Sequence, residues 1–472
     1  MGMVPKSRQF EAALEIIKNL RAAGYAALLA GGCVRDLLLG REPVDYDVAT
    51  DATPDVVLAM FPRTFAVGAH FGVVLVATTC GGANSAEATT PAEERCVTEV
   101  ATFRSDGAYS DGRHPDAVRY TQSAEEDVQR RDFTINGLLL DPIRLDGKGK
   151  GQLAAVREGL LDYVGGLADL DAGVIRAIGQ PRRRFEEDQL RLLRAVRFAA
   201  RFGFELEAQT KAAMQVLAPR IQAVSRERVR DELTKMLTEG RARRAFELLD
   251  ESGLLAEVLP EIARMKGVAQ PPQYHPEGDV WMHTLMLLEQ LPPGAPLTLA
   301  WGALLHDVGK PPTFRVAPDR IRFDGHVEVG VAMGAEICRR FRFSNEETQQ
   351  ILSLIENHMR FADAPKMKAS TLKRFFRLRD FPEHLALHRM DCMAAHANLE
   401  IYDFVRDQFC AMPREAVRPT PLLTGRELIA AGYAPGPRFK PMLRAVEDAQ
   451  LEGTIASAEE AMSLVRARFG EA

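Results

Sequence analysis

The chain has 472 residues, long for a single hydrophobic core, so several domains are expected. With 46% hydrophobic and 26% charged residues it has a water-soluble globular composition, and no apolar run approaches the roughly 20 residues of a membrane span or a signal-peptide core; a cytoplasmic protein is expected. A net charge of −5 excludes a globally basic protein, and six cysteines without a CxxC pair exclude a zinc ribbon or a disulfide framework, so the thiols are expected to be reduced.

The first 25 residues read as an amphipathic helix, with Phe10, Leu14, Ile17 and Leu20 at helical spacing. Strand-like runs follow at 26–30, 45–49, 65–67, 73–78 and 97–103, and residues 81–95 read as a loop insertion of small and polar residues. Beyond about residue 150 the pattern turns helical, over 186–202, 226–237, 245–255 and 329–341, with soft boundaries at 147–151 and 265–272. An α+β chain is expected, with a small mixed sheet at its N-terminal end and helices after it.

The double glycine Gly31-Gly32 precedes Asp45 and Asp47. On a strand, period-2 alternation puts both carboxylates on one face, where they can share divalent cations beside a phosphate. Glycine lets backbone amides approach that phosphate closely, and Arg35 supplies a nearby cation. The alternating run 97–104 would bring Glu99 to the same face. Three carboxylates around two Mg2+ ions make the two-metal arrangement for in-line displacement.

Arg130, Arg131 and Asp132 come next, followed by Asn136. The arginines can neutralise phosphate charge, and Asp132 or Asn136 can bond ribose hydroxyls. In the helical run 186–202, Arg191, Arg194, Arg197 and Arg201 fall within about 120° of arc, opposite Leu192, Leu193, Val196 and Ala199. From Arg176 to Arg230 there are 13 Lys and Arg against 6 Asp and Glu, the local footprint of a surface for RNA backbone.

GGxVRDLLLG followed by DxD, the RRDFTIN segment, and EDxxR inside EEDQLRLLRAVRFAARFGF resemble the class II tRNA nucleotidyltransferases and the bacterial poly(A) polymerases over about residues 25–240. The resemblance implies a polymerase β-like nucleotidyltransferase head. It makes Asp45 and Asp47 metal ligands, Gly31 and Gly32 the triphosphate turn, Arg130, Arg131 and Asp132 the ribose motif, and Glu187, Asp188 and Arg191 an amino-acid template. Cytosine and adenine both present an amino donor beside a ring-nitrogen acceptor, which a carboxylate and a guanidinium can pair. Uracil and guanine reverse that pattern and would leave buried groups unpaired, at about 1–3 kcal/mol each.

In the C-terminal half, His283, the doublet His306-Asp307, His326, His358 and Asp391 offer imidazoles and carboxylates from several helical segments, donors suited to a divalent metal in a helical bundle. The string LLHDVGK resembles the HD phosphohydrolase superfamily. That resemblance implies His283, His306, Asp307 and Asp391 as ligands of a divalent metal of unspecified identity, with His326 and His358 as additional ligands or phosphate contacts.

The expected organisation is a head over 1–150, a helical neck that selects bases and binds RNA over 151–265, an HD domain over 266–400, and a helical tail over 401–472. The expected activity is untemplated addition of CCA to the tRNA 3′ end from CTP and ATP with Mg2+, with phosphohydrolysis in the HD domain and no membrane or protein partner implied. A-adding, CC-adding and poly(A)-adding enzymes share every motif quoted. An HD phosphohydrolase whose head merely binds nucleotide is the alternative from another class.

Overall fold

The structure, a computed structural model, describes residues 7–66, 72–79, 95–107, 118–146, 156–273 and 275–471. The expected boundary at 147–151 and all but the last residue of the 81–95 segment lie outside the described residues. The chain forms two units, Met1–Leu233 with Glu247–Val258, and Thr234–Phe246 with Leu259–Ala472.

Unit 1 begins with a helix over Arg8–Ala22, capped where the Ser7 hydroxyl accepts from the Phe10 amide at 3.2 Å. Its buried stripe, including Phe10, Ala13, Ile17 and Leu20, packs against the sheet. The sheet strands are β1 (Ala27–Ala30), β2 (Val48–Thr50), β3 (Thr64–Phe65), β4 (Val73–Thr79) and β5 (Arg95–Thr102). A separate hairpin, β6 (Arg104–Asp106) and β7 (Val118–Tyr120), precedes β8 (Leu139–Leu140) and β9 (Leu160–Leu161) of the main sheet. The seven-stranded order is β3-β4-β5-β2-β1-β8-β9, antiparallel except for β2 beside β5. β1 is buried at every position, which its Ala-Leu-Leu-Ala sequence allows.

The strand expected at 45–49 begins at Val48, and the two aspartates lie on the chain leading into it. A single bond, Ala30 amide to Asp47 carbonyl at 3.0 Å, carries the ladder back that far. Tyr46 is buried between exposed Asp45 and half-buried Asp47, so the side-chain alternation holds without full pairing.

The helix expected from Glu186 onward is broken. One helix covers Pro181–Glu187 and the next Leu190–Phe202, with Asp188 extended between them and Gly203 in the left-handed region closing the second. Beyond β9 the described strands are short two-stranded pairs, such as Val174–Ile175 with Glu205–Leu206.

Among its described residues unit 2 is helical apart from the hairpin Arg315–Val316 with Ile321–Arg322. Helices Val280–Glu289, Leu297–Leu305, His326–Arg340, Asn345–Asn357 and Phe381–Ala395 carry or flank the expected metal donors. A Cβ at Gly309 would stand 2.1 Å from the His326 carbonyl, so glycine here lets the end of one helical segment meet the start of another. Further helices follow, among them Glu400–Ala411, Phe439–Glu452 and Ala458–Phe469. Among the described residues no helix is long and apolar enough to cross a membrane. Cys33, Cys338, Cys392 and Cys410 are free thiols; Cys96 is disulfide-bonded, which corrects the expectation of reduced cysteines at that position.

Candidate functional site

A cavity of about 520 Å³ opens in unit 1, and eight arginines and three aspartates line it. Gly31, Gly32 and Asp47 form one part of the wall, and Asp188 and Arg191 another. Gly31 has φ +70°, and a Cβ there would meet Arg131 Nη1 at 3.0 Å, so conformation and space both require glycine. The helix Gly32–Leu38 starts directly after this turn.

Asp47, on the cavity wall, has Glu99 and Asp45 as charged neighbours. Burial and the neighbouring Glu99 push the Asp47 carboxyl up to about 6, against the pull of Arg131. Lost solvation and Asp45 likewise raise Glu99. Mutual repulsion of this kind is what a cation shared among the three would relieve.

Fixed ion pairs hold the cavity walls. Asp127 takes Arg130 on one oxygen, at 2.9 and 2.7 Å, and Arg131 on the other, at 3.3 and 2.9 Å. Asp132 accepts from the Phe133 amide at 2.8 Å, from Asn136 Nδ2 at 3.0 Å and from Arg194 at 2.6 Å. Arg191 Nη1 reaches Glu187 at 2.8 Å, while Arg191 Nη2 and Arg184 Nη1 donate to the Arg130 carbonyl at 3.1 and 3.0 Å. The Arg130-Arg131 motif and the Glu187-to-Arg191 motif are thereby one hydrogen-bonded assembly.

In unit 2, a second cavity of about 630 Å³ is lined by Asp307, Lys310, His326, His358 and Asp391 among others. His283 Nε2 lies 3.0 Å from Asp391 Oδ1 and 3.9 Å from Asp307 Oδ2. His306 Nε2 is 3.2 Å from Asp307 Oδ2, and His326 and His358 Nε2 are 3.9 and 3.8 Å from Asp307 Oδ1. The donors form two groups, His283 with His306 and Asp391, and Asp307 with His326 and His358.

Carbonyls of Ala303, Phe323 and Ile355 lie 2.7–2.9 Å from Nδ1 of His306, His326 and His358, which puts the proton on Nδ1 and the lone pair of Nε2 toward Asp307. Those three Nε2 atoms, His283 Nε2 and Asp307 Oδ1 are buried without a hydrogen-bond partner, while Asp307 Oδ2 has Lys310 Nζ at 2.7 Å. So many orphaned donor atoms on one centre fit a divalent cation. Burial alone would raise the Asp307 carboxyl, but Lys310, His306 and His283 hold it well below the usual range. Burial works against His283 too, and the Asp391 carboxylate near Nε2 together with the Glu277 carboxylate at Nδ1 holds it up to about 9. Burial pushes His358 down to about 4.

Residues 27–176 match the poly(A) polymerase head domain, 203–266 the "Probable RNA and SrmB- binding site of polymerase A", and 278–393 the HD domain. The A-adding tRNA nucleotidyltransferase of Deinococcus radiodurans is 33% identical over 461 residues, 93% of this chain and 95% of that protein. The chain belongs to the class II tRNA nucleotidyltransferase family. The CCA-adding enzyme of Geobacillus thermodenitrificans is 40% identical over 254 residues, 54% of this chain and 55% of that enzyme, so the chain spans about half the length of this curated relative. The crystal structure of the Bacillus stearothermophilus CCA-adding enzyme in complex with CTP superposes with a TM-score of 0.70 at 26% identity, covering 99% of both chains.

Against this family background the expected residues fall into distinct groups. The unit 1 cavity gathers Gly31, Gly32, Arg35, Asp47, Arg130, Arg131, Asp132, Asn136, Asp188, Arg191, Arg194, Arg197 and Arg201 on its wall; Asp45, Glu99 and Glu187 stand outside that lining. Arg35, expected as a phosphate cation, is buried, with Nη1 on Asn136 Oδ1 at 2.6 Å, Nε on Asp36 at 2.9 Å and its guanidinium 4.6 Å from the Phe202 ring centroid.

Arg197 corrects the expected cationic helix face. It is 7% exposed and paired with Glu232 at 2.8 Å, because the packed side of its helix extends past the apolar residues that defined it in sequence. Arg194 is likewise held by Asp132.

Sequence reasoning missed Arg228, whose Nη2 donates to Asp188 Oδ2 at 3.0 Å, and Phe198, whose ring lies 5.4, 5.2 and 4.4 Å from the guanidinium carbons of Arg35, Arg194 and Arg197. A signal existed for Phe198, since it stands between the arginines of the helix; none pointed from Arg228 to Asp188, 40 residues away.

Proposed function

We propose that this chain extends the 3′ end of tRNA without a nucleic-acid template, adding CMP and AMP from CTP and ATP to complete CCA. The observation that carries the reading is the unit 1 cavity, where eight arginines face three aspartates and Asp188 and Arg191 share the lining with the Gly31-Gly32 turn. An excess of guanidinium over carboxylate suits a triphosphate and an RNA backbone together.

Asp45, Asp47 and Glu99 would hold Mg2+, which supplies neutralisation of triphosphate charge and a lowered pKa for the attacking hydroxyl. The RNA 3′ hydroxyl gives its proton to solvent as its oxygen forms a bond to the α-phosphorus, the bond from that phosphorus to the oxygen bridging the β-phosphate breaks, and pyrophosphate leaves. Arg131, beside the Gly31 turn, offsets charge on the departing phosphates. Asp188 accepts from the amino group of cytosine or adenine and Arg191 donates to the ring nitrogen, their carboxylate and guanidinium being steadied by Arg228 and Glu187. Arg201, Arg194 and the basic segment around them would meet the RNA backbone.

A second reading, addition of the terminal A alone, is favoured by the full-length similarity to an A-adding tRNA nucleotidyltransferase. For unit 2 the proposal is a phosphohydrolase in which His283, His306, Asp307 and Asp391, with His326 and His358, would hold a divalent metal that supplies an activated water. The proposed organisation keeps a head over 1–150, a neck over 151–265, an HD domain over 266–400 and a tail over 401–472, in a cytoplasmic protein.

Incorporation of labelled CTP and ATP into tRNA transcripts ending at the discriminator base, at one C and at two C residues tests the readings. Growth to full CCA on the shortest transcript supports the first, and A addition only to the two-C transcript supports the second. Long A tails would overturn both.

A further inference from the structure

Glu277 stands outside the donors that the HD motif singles out, yet it is buried against them. Its Oε1 lies 2.7 Å from His283 Nδ1 and 2.9 Å from His275 Nδ1, with the side chain 2% exposed. An ionised carboxylate only accepts, so both imidazoles place a proton on Nδ1. The second oxygen of Glu277 is buried with no hydrogen-bond partner among the described residues, so no other group draws the carboxylate away.

With Nδ1 occupied, the ring of His283 points Nε2 at Asp391, 3.0 Å away. Two donors held about 2.1 Å from one cation at right angles lie about 3.0 Å apart, so this spacing is that of two ligands on one ion. His306, His326 and His358 obtain the same orientation from main-chain carbonyls. His283, in the first half of the helix Val280–Glu289, has the Glu277 side chain instead.

We infer that Glu277 is the positioning residue of the unit 2 metal centre, fixing His283 with Nε2 toward the cation, while His275 braces Glu277 from the cavity side. His275 itself lines the cavity beside Lys310, and its ring centroid is 5.0 Å from that of His283. A carboxylate behind a ligating imidazole fixes its tautomer and strengthens it as a donor, and loss of such a partner costs 10–100-fold in metal affinity by order of magnitude. The inference rests on the reading that this cluster holds a divalent cation.

The test is calorimetric titration of the EDTA-treated full chain with Ni2+, an ion that imidazole-rich sites prefer. His306→Ala/Asp307→Ala identifies which binding phase belongs to unit 2. Glu277→Leu is expected to weaken that phase by roughly 10–100-fold. Glu277→Gln, which keeps a carbonyl acceptor for Nδ1–H, is expected to recover most of the affinity, and His275→Ala to stay close to wild type. Thermal melts in EDTA separate folding from ligation. An undiminished affinity in Glu277→Leu overturns the positioning role, as does equal loss in the Gln and Leu variants with equally lowered melting temperatures, or a loss in His275→Ala as large as in Glu277→Leu. If the wild-type chain has no Ni2+ phase that His306→Ala/Asp307→Ala removes, the metal reading itself fails and the inference falls with it.

Discussion

Arg194 donates to one carboxylate oxygen of Asp132 from both Nε and Nη2, at 2.8 and 2.6 Å, across 62 residues of chain. The pair ties the helix Leu190–Phe202 to the segment that carries Arg130 and Arg131. Burial alone would raise the Asp132 carboxyl, but Arg194 and Asn136 hold it well below the ordinary value. Arg194→Ala leaves that carboxylate buried without its cation, and a destabilisation of about 2–3 kcal/mol is expected, somewhat under the range for fully buried pairs because Arg194 keeps partial exposure. A depressed carboxyl contributes stability that is present above its unfolded value near 4 and lost as pH falls toward the folded one. The stability gap between wild type and Asp132→Asn should therefore be full at pH 6 and shrink below about pH 4. Both tryptophans, Trp281 and Trp301, lie in unit 2, so the measurement uses far-ultraviolet circular dichroism with limited proteolysis of unit 1 rather than tryptophan emission.

Asp45 and Asp47, the proposed metal ligands of unit 1, contribute little to its packing, since Asp45 is exposed and Asp47 is half-buried. Alanine at either position should reduce nucleotide incorporation by about a thousandfold or more, because charge neutralisation on the triphosphate is lost. Retention of tRNA on filters should be unchanged. A parallel loss of RNA binding would contradict their assignment as metal ligands.

Arg228 is the cavity residue whose removal should alter selection rather than turnover alone. Its contact with Asp188 leaves the carboxylate one orientation, while the Leu190 amide holds the other oxygen at 3.0 Å. Arg228→Ala frees half of that restraint. The ratio of kcat/KM for CTP over UTP is expected to fall about 5- to 150-fold, the equivalent of about 1–3 kcal/mol. Single-nucleotide incorporation with each of the four triphosphates measures it, and an unchanged ratio would count against the template role of Asp188.

Local chemistry made much of this molecule legible. The Gly31-Gly32 turn, the alternation at Asp45 and Asp47 and the helix at 8–22 each depend on residues within one element. The break at Asp188 was not legible, because Glu187, Asp188 and Gln189 continue a helical pattern, whereas the extended Asp188 is held by hydrogen bonds from Arg228, 40 residues away, and the Leu190 amide. Arg197 illustrates the same limit. Its place on a cationic arc follows from helical spacing, whereas its burial follows from Glu232 on another helix. In unit 2 the HD string pointed to donors that the fold gathers, whereas Glu277, two residues from His275 and six from His283, belongs to no motif that would single it out.

His384 gives unit 2 a pH dependence independent of any metal. It is 1% exposed, its ring packs beside Phe381, its Nε2 is 3.4 Å from the Ser353 hydroxyl, and its Nδ1 is buried without a hydrogen-bond partner. Burial, with Arg360 adding to it and the Arg379 backbone and Asp380 opposing, pushes the imidazole down to about 4. The unfolded chain takes up this proton near pH 6.5 and the folded chain only near pH 4, so more protons are bound in the unfolded state between those values. Stability from His384 is thus complete above pH 6.5 and declines as the solution is acidified toward pH 4, by about 2–3 kcal/mol in all. Urea melts followed by tryptophan emission, which reports on unit 2, should show wild type losing that much relative to His384→Gln between pH 7 and pH 4. A difference between the two chains that stays constant across this range would mean that His384 is protonated in the folded state as readily as in the unfolded one.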